Sequence, residues 1–361
     1  MQAPAENQSL KSYNTFGIDV RARYFAAFGT AEELGELLEW TRAHGLGEPG
    51  ERHRAERSGQ SGDSGARRRI VLGGGSNVLF TQDVDGLVLR NEIRGIELVD
   101  EDEDYVYVRA GAGEVWQEFV EYCIGRGWAG VENLSLIPGS VGAAPMQNIG
   151  AYGVELKDVF YELEAWHIEE RKIYTFSLND CEFGYRESVF KRRYRDQFVI
   201  LRVTFRLAKK PVFHTSYGAI KEELERMGVR ELSIRAVSDA VVAIRRSKLP
   251  DPAVIGNAGS FFKNPTIPDE QYDILQAEYP AIVGYHTVGT DTTKLAAGWL
   301  IEQCGWKGFR RGDAGVHARQ ALVLVNYGGA TGREIYDLSE EVLQSVREKF
   351  GVELEREVNI I

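Results

Sequence analysis

Residues 133–155 read N-L-S-L-I-P-G-S-V-G-A-A-P-M-Q-N-I-G-A-Y-G-V-E, and no other stretch limits the possible folds of this chain so strongly. An apolar lead-in of Leu134, Leu136 and Ile137 meets Pro138. After it, Gly139, Gly142, Gly150 and Gly153 punctuate small residues with almost no charge. Surface loops are ordinarily polar, because their backbone groups must face water or be paired. These side chains are too small to supply pairing, so the exposed N–H and C=O groups are expected to pair with something lying against them. Glycine and alanine allow close backbone approach to a ligand, and consecutive turn N–H groups make a concavity suited to anions. A bound cofactor carrying phosphate is the first expectation; a purely structural glycine turn is the alternative.

A second glycine-rich turn lies upstream, where Ile70-Val71-Leu72 leads into Gly73-Gly74-Gly75-Ser76-Asn77 and on to Val78-Leu79-Phe80. Gly73 and Gly75 fit the first two places of the dinucleotide fingerprint G-x-G-x-x-G, but the third falls on Val78, and residues 79–86 do not open a helix. A Rossmann unit needs a helix N-terminus there for the pyrophosphate. A turn whose amides and Ser76 or Asn77 side chains hold a pyrophosphate directly fits better.

The 361 residues suffice for two or three domains, and a hydrophobic content of 43% is that of a globular protein. No run approaches the ~20 apolar residues of a membrane span, and residues 1–12 show no basic-then-apolar leader, so a cytoplasmic protein with no membrane partner is expected. Cys123, Cys181 and Cys304 are far apart, with no C-x-x-C, and the 6 histidines show no ligand spacing, so no metal is expected. A net charge of −11 argues against nucleic acid. An anionic small substrate would have to be met by a local cluster of Arg and Lys.

Along the chain, Thr30 with Glu33 forms a capping box before a helix face of Leu34, Leu37, Leu38 and Thr41. Residues 47–69 hold mostly Gly, Ser, Glu and Arg with no period, and read as a disordered insertion. Strands are expected at 87–89, 93–99, 105–109, 159–167, 172–176 and 198–207, and a helix at 115–123. Beyond Pro211, helices are expected from Thr215-Ser216-Tyr217-Gly218 to Met227, at 236–246, at 293–303 and at 331–350, with Gly351 as C′ residue, and a strand at 321–325. In the last residues Val352, Leu354, Val358 and Ile360 alternate with Glu353, Glu355, Glu357 and Asn359, and only Arg356 breaks the apolar face.

Gly73-Gly74-Gly75-Ser76-Asn77, the 138–153 loop, Phe183-Gly184-Tyr185-Arg186, Lys248-Leu249-Pro250-Asp251-Pro252, Gly259-Ser260-Phe261-Phe262-Lys263-Asn264-Pro265 and Leu354-Glu355-Arg356-Glu357-Val358 together resemble the UDP-N-acetylenolpyruvoylglucosamine reductase family. The blocks run in order from about residue 14 to 358, and Thr215-Ser216-Tyr217-Gly218 resembles the type that keeps a substrate-closing tyrosine loop. The resemblance implies an α+β fold with a bipartite FAD-binding domain of the vanillyl-alcohol-oxidase (PCMH-like) kind, followed by an α+β substrate-binding domain. It places the FAD-binding domain at 12–210 in two lobes split near 94, the substrate domain at 211–351, and a C-terminal strand carrying the catalytic Glu at 352–361.

The chemistry implied is NADPH-dependent reduction of the enolpyruvyl ether of UDP-N-acetylglucosamine to UDP-N-acetylmuramate through FAD, in peptidoglycan precursor synthesis. Hydride passes from flavin N5 to the terminal vinyl carbon, the neighbouring carbon carries enolate charge, and a proton completes the reaction. The resemblance assigns Arg186 to the substrate carboxylate and the transient anion, a task a permanently charged, bidentate guanidinium suits. It assigns Ser260 as proton donor, which needs neighbours such as Lys248 or Asn264 to stabilise an alkoxide, and Glu357 as the glutamate at the enolate end. Cofactor contacts fall on Gly73, Gly74, Gly75, Ser76, Asn77, Pro138, Gly139, Ser140, Gly142, Gly150, Ala151, Tyr152 and Gly153. Substrate contacts fall on Tyr185, Tyr217, Arg245, Lys248, Lys263 and Asn264, and the helix start after Tyr217 is expected to favour an anion. Read without the resemblance, Arg186 is a strand-end arginine, Ser260 a turn residue and Glu357 a solvated strand glutamate.

One departure stands out, for the family commonly has an arginine two residues after the catalytic glutamate and this chain has Asn359. A rival reading keeps the FAD cradle but makes the protein a regulatory or ligand-binding module; retention of Arg186, Ser260 and Glu357 together favours the enzyme. An oxidase using molecular oxygen is disfavoured, since no His or Cys sits where a covalent flavin link is evident. A monomer is the default expectation.

Overall fold

The computed structural model describes residues 3–46, 68–217, 219–287 and 289–361. Residues 47–67 of the expected insertion lie outside the described residues, and its last two, Arg68 and Arg69, open the strand Arg68–Leu72 instead. The chain forms two compact units, one of Met1–Gln8, Arg21–Gly74 and Asp83–Ser247, the other of Ser9–Val20, Gly75–Gln82 and Lys248–Ile361.

In the first unit a four-stranded sheet runs in the order Ala5–Ser9, Arg21–Phe28, Val84–Asn91, Arg68–Leu72. Val84–Asn91 pairs in parallel with both neighbours. Its Leu87, Val88 and Leu89 are buried consecutively rather than alternately, the signature of a strand covered on both faces. One cover is the helix Ala31–Ala43, whose Leu34, Leu37 and Leu38 meet Phe28, Leu87 and Leu89. Thr30 Oγ1 accepts from Glu33 N at 3.1 Å as the sequence predicts, but the Glu33 carboxylate reaches back to Gly29 N, at 2.7 Å, one residue before the cap.

The same unit holds a five-stranded antiparallel sheet in the order Lys172–Ser177, Phe160–His167, Phe198–Ala208, Tyr105–Gly111, Ile96–Glu101. The helix Trp116–Gly125 buries Trp116, Phe119, Val120 and Cys123 in the core that this sheet shares. The rings of Phe119 and Phe205 pack at a tilt of 36°, with centroids 4.5 Å apart. The helices Ile220–Arg226 and Ile234–Lys248 form a further cluster through Ile220, Leu224, Ala240, Val241 and Ile244, on which Tyr152 of the glycine loop packs.

The second unit contains an antiparallel sheet ordered Gly256–Asn257, Leu324–Asn326, Ala314–Val316, Arg310–Arg311. The strand expected at 321–325 therefore begins only at Leu324, because a turn closes from Gln320 O to Val323 N at 3.1 Å. The helix expected at 293–303 is likewise shortened to Ala297–Gln303. Thr292–Leu295 is instead the middle strand between Thr266–Pro268 and Gly284–His286, where its β-branched residues suit a pleated surface. The helix Gly332–Phe350 has a full capping box between Thr331 and Glu334, buries Ile335, Leu338, Val342 and Val346, and ends on Gly351 at φ 65°.

The tail follows that helix in two steps. Residues 355–357 lie along 261–263: Lys263 N donates to Glu355 O at 2.8 Å, Phe262 bridges Arg356, and Glu357 N donates to Phe261 O at 2.9 Å. Asn359–Ile360 then pairs in parallel with Val78–Leu79. Val352, Leu354 and Val358 are buried as the alternation predicts, whereas Ile360 is exposed. Arg356 finds Glu340 at 2.6 Å and Ser339 Oγ at 2.8 Å, which accounts for a cation on an apolar face.

Candidate active site

In the first unit the two glycine turns are pressed together. A Cβ on Gly73 would lie 2.4 Å from Ser140 Oγ, and one on Gly74 would lie 3.0 Å from Gly139 Cα. Gly142 has Ala112 Cβ at 2.4 Å from where its own would be, so none of these positions admits a side chain without a shift. Part of what lies against this loop's backbone is the protein itself. Val141 N donates to Glu114 O and Gly142 N to Ala112 O, both at 2.9 Å, while Gly139 O accepts from Trp116 N at 3.0 Å. The backbone is held from one side by 112–116. What remains is Ser140 Oγ, buried and with no hydrogen-bond partner among the described residues, beside Gly139 at a left-handed φ of 126°.

Further along, the loop is laced to the turn at 183–188 by three side chains. Ser188 Oγ donates to Met146 O at 2.7 Å, Asn148 Nδ2 to Gly184 O at 3.1 Å, and Arg186 Nη2 to Gly150 O at 2.8 Å. Gly184 and Glu187 close the turn on each other, which leaves Tyr185 and Arg186 at its corner. Arg186 takes φ 56°, a conformation costly for an arginine and held here by the pairing on both sides.

Arg245 of the helix Ile234–Lys248 lies within electrostatic reach of Arg186 and Tyr152, and its Nε is buried without a hydrogen-bond partner among the described residues. Burial, aided by the charge of Arg186 and opposed by Tyr152, weakens its hold on its proton. Burial likewise raises the Tyr152 phenol, with Arg245 opposing and Tyr217 adding to the rise. Tyr217 is exposed and leans on Gly153, whose Cβ would lie 3.2 Å from Tyr217 Cβ. Two cations and two phenols thus gather around the 150–153 backbone, a local positive site in a chain of net charge −11. The expected helix N-terminus adds nothing to it: the helix begins at Ile220 and its first turn carries Glu222 and Glu223.

The sequence reading missed Asn133. It is buried, and its Nδ2 donates to Tyr152 O at 3.0 Å and His214 O at 2.8 Å, joining the glycine loop to the segment before Tyr217. An amide within an otherwise apolar lead-in was the available signal.

In the second unit Gly75, at φ 64°, faces Tyr13 O at 2.0 Å from its absent Cβ, so only glycine fits. Asn77 Nδ2 donates to Glu357 O at 3.2 Å, and Asn77 O accepts from Asn359 N at 3.1 Å and Asn359 Nδ2 at 2.9 Å. Ser260 sits between Gly259, at φ 70°, and the buried Phe261, whose N–H donates to Leu322 O at 2.7 Å. Glu357 bonds to that same Phe261, so the serine and the glutamate expected to act on the proton flank one residue. Asn257, also missed, fixes the approach: buried, it donates to Pro250 O at 3.2 Å and Ile255 O at 2.8 Å and accepts from Gly259 N at 2.9 Å.

Lys263 and Asn264 have structural partners. The Lys263 ammonium is buried and meets Glu355 Oε1 at 2.6 Å, and Asn264 Oδ1 accepts from Ala297 N at 3.0 Å at the start of the helix Ala297–Gln303. Lys248 ends its helix exposed. Pro138 and Ala151 lie in the glycine loop, and Ser76 in the turn that follows Gly75. Among the described residues no helix is long and apolar enough to cross a membrane, and no group of three or more His, Cys, Asp or Glu gathers as a metal site would.

The family model described as UDP-N-acetylenolpyruvoylglucosamine reductase, C-terminal domain, matches residues 251–361, and an FAD binding domain matches residues 66–170. The curated UDP-N-acetylenolpyruvoylglucosamine reductase of Amoebophilus asiaticus (strain 5a2) is 49% identical over 356 residues, 99% of this chain and 98% of its own. That of Pseudomonas aeruginosa is 50% identical over 355 residues, 98% of each. The crystal structure of UDP-N-acetylenolpyruvylglucosamine reductase from Thermus caldophilus shares the fold, with a TM-score of 0.64 at 24% identity over 98% of this chain and 97% of that one.

Proposed function

The chain belongs to the UDP-N-acetylenolpyruvoylglucosamine reductase family, and on that premise we propose how its residues reduce the enolpyruvyl ether of UDP-N-acetylglucosamine to UDP-N-acetylmuramate. It is an FAD-dependent oxidoreductase with NADPH as reductant. The residues present fit the cofactor. Ser140 Oγ lacks a hydrogen-bond partner among the described residues, and Gly73, Gly74 and Gly142 keep side chains out of the turns that approach it. The pyrophosphate and ring system of FAD would be held by residues 73–77, 138–142 and 150–153. When bound, FAD takes hydride from NADPH and gives hydride to the terminal vinyl carbon of the substrate.

The remaining work is the chain's own. Arg186, half-buried and fixed to Gly150 O, meets the substrate carboxylate and the negative charge that develops beside it. Ser260 gives its hydroxyl proton to the carbon next to the one that received hydride. Glu357, anchored on Phe261, stands at the enolate end and relays the proton that restores Ser260. Arg245, Tyr217, Tyr185 and Lys248 take the diphosphate and sugar, a role supported by the cationic cluster around Tyr152. Lys263 and Asn264 support the site from behind, one through Glu355 and the other through the Ala297 helix start. By this reading 12–210 is the cofactor part, 211–351 the substrate part, and 352–361 the strand that delivers Glu357. We place the enzyme in the cytoplasm as a monomer, consistent with the lack of a membrane-spanning helix among the described residues.

The observation that carries this reading is the flanking of Phe261 by Ser260 and Glu357. A mere flavin-binding module has no use for it. Purified protein should show a flavin spectrum and oxidise NADPH stoichiometrically with added enolpyruvyl UDP-sugar. Oxidation at the same rate without the sugar would refute the reductase reading.

A further inference from the structure

We propose that Asn359 is a positioning residue, whose side-chain amide sets the register between the cofactor turn at 73–77 and the catalytic Glu357; this rests on the roles given above to Asn77 and Glu357. The tail reaches Glu357 from two sides. Upstream, Lys263 N holds Glu355 O at 2.8 Å, and Phe261 O holds Glu357 N at 2.9 Å. Downstream the Asn77 side chain brackets the Glu357 peptide, donating to Glu357 O at 3.2 Å.

That side chain is aimed from a residue that Asn359 helps to hold. The carbonyl of Asn77 accepts from Asn359 N at 3.1 Å and from Asn359 Nδ2 at 2.9 Å, so a single residue supplies donors for both lone pairs. The pairing is reciprocal: Asn77 holds residue 357, and residue 359 holds Asn77. Beyond it, Asn359–Ile360 runs in parallel with Val78–Leu79, and Thr81 N and Oγ1 donate to Ile361 O at 2.8 and 2.9 Å. Those later bonds keep the tail docked without the Asn359 amide. The amide is therefore free of a purely anchoring duty, and its loss should rotate the Asn77 peptide rather than release the tail. Asparagine is short enough for its amide to reach the carbonyl of the neighbouring strand residue, a local bond of the kind these side chains favour.

The test is stopped-flow kinetics on Asn359→Ala holoenzyme, with both half-reactions followed at the flavin absorbance. Reoxidation of reduced flavin by the enolpyruvyl UDP-sugar should slow about fivefold, the worth of one net hydrogen bond, while flavin reduction by NADPH and FAD content stay unchanged. In a Glu357→Gln background, itself slow in reoxidation, the same substitution should add nothing. Equal slowing of both half-reactions, unchanged reoxidation, or a full additional loss in the Glu357→Gln background would each overturn the role of Asn359 while leaving the catalytic scheme in place. Wild-type reoxidation in Glu357→Gln alone would remove the catalytic role of the glutamate, and this inference with it.

Discussion

Gly142→Ala is the substitution whose consequence the structure specifies most fully. The new Cβ would lie 2.4 Å from Ala112 Cβ, 3.0 Å from its Cα and 3.1 Å from its carbonyl oxygen. Carbon contacts settle at about 3.5 to 4.0 Å, so the two segments must part by about 1 Å. Ala112 cannot yield, being buried and bonded through its N–H to Leu201 O at 2.9 Å. The glycine loop must move instead, stretching the 2.9 Å bond from Gly142 N to Ala112 O. Overpacking costs about 1–3 kcal/mol and the weakened bond about 1 kcal/mol. Because Ser140 moves with the loop, FAD affinity should fall about 10- to 100-fold. Fluorescence titration of the apoprotein with FAD and thermal melts measure both effects. Gly125→Ala is the control: it ends the helix Trp116–Gly125 and, beyond its chain neighbours and its own helix backbone, no atom of the described residues lies within 4 Å of its Cβ position. It should leave FAD binding alone and raise stability by a few tenths of a kcal/mol, up to about 1 kcal/mol. A Gly142→Ala protein that melts and binds FAD like the parent would refute the claim that this contact shapes the cradle.

Thr331→Ala removes the hydroxyl arm of the capping box on the helix Gly332–Phe350 and leaves the arm from Thr331 N to the Glu334 carboxylate; it should cost about 1 kcal/mol in denaturant unfolding without altering flavin content. His317 is buried, and burial first, then Arg319, holds its pKa below the ordinary histidine value. Its contribution to stability is complete above the unfolded value of about 6.5 and is lost as pH falls from there through the lower folded value. Melting temperatures should therefore drop on acidification below about 6.5, less steeply in His317→Gln. Arg186→Lys keeps a charge but loses the fork, and should reduce kcat/KM at least about tenfold with FAD content intact.

Local signals were legible wherever a residue answers to its own neighbours. Thr30 with Glu33, the 3.6 period of residues 335–346 and Gly351 each fixed a helix end or face, and the alternation at 159–167 and 198–207 marked strands that the structure begins at Phe160 and Phe198. The failures are non-local. Thr292–Leu295 continues apolar into Ala297–Gln303, and only its pairing with 266–268 and 284–286 makes it a strand. The path of the tail depends on Val78–Leu79, hundreds of residues away along the chain. Buried asparagines were illegible for the same reason, since Asn133 and Asn257 show their purpose only once the carbonyls they bridge are in place. Lys263 reads as a phosphate contact because a lone lysine gives no hint that Glu355 will lie beside it. The candidate chemistry was legible only through several blocks in register; by itself Ser260 is a turn residue.

The central claim is that Ser260 and Glu357, brought to either side of Phe261 by the returning tail, serve the proton half of a reaction whose hydride half they do not touch. Stopped-flow spectroscopy of Ser260→Ala tests it. Flavin reduction by NADPH should stay within about twofold of the parent while reoxidation by the enolpyruvyl UDP-sugar slows by about a hundredfold or more, the range of a lost general acid. Equal slowing of the two half-reactions, or reoxidation at the parent rate, would contradict it.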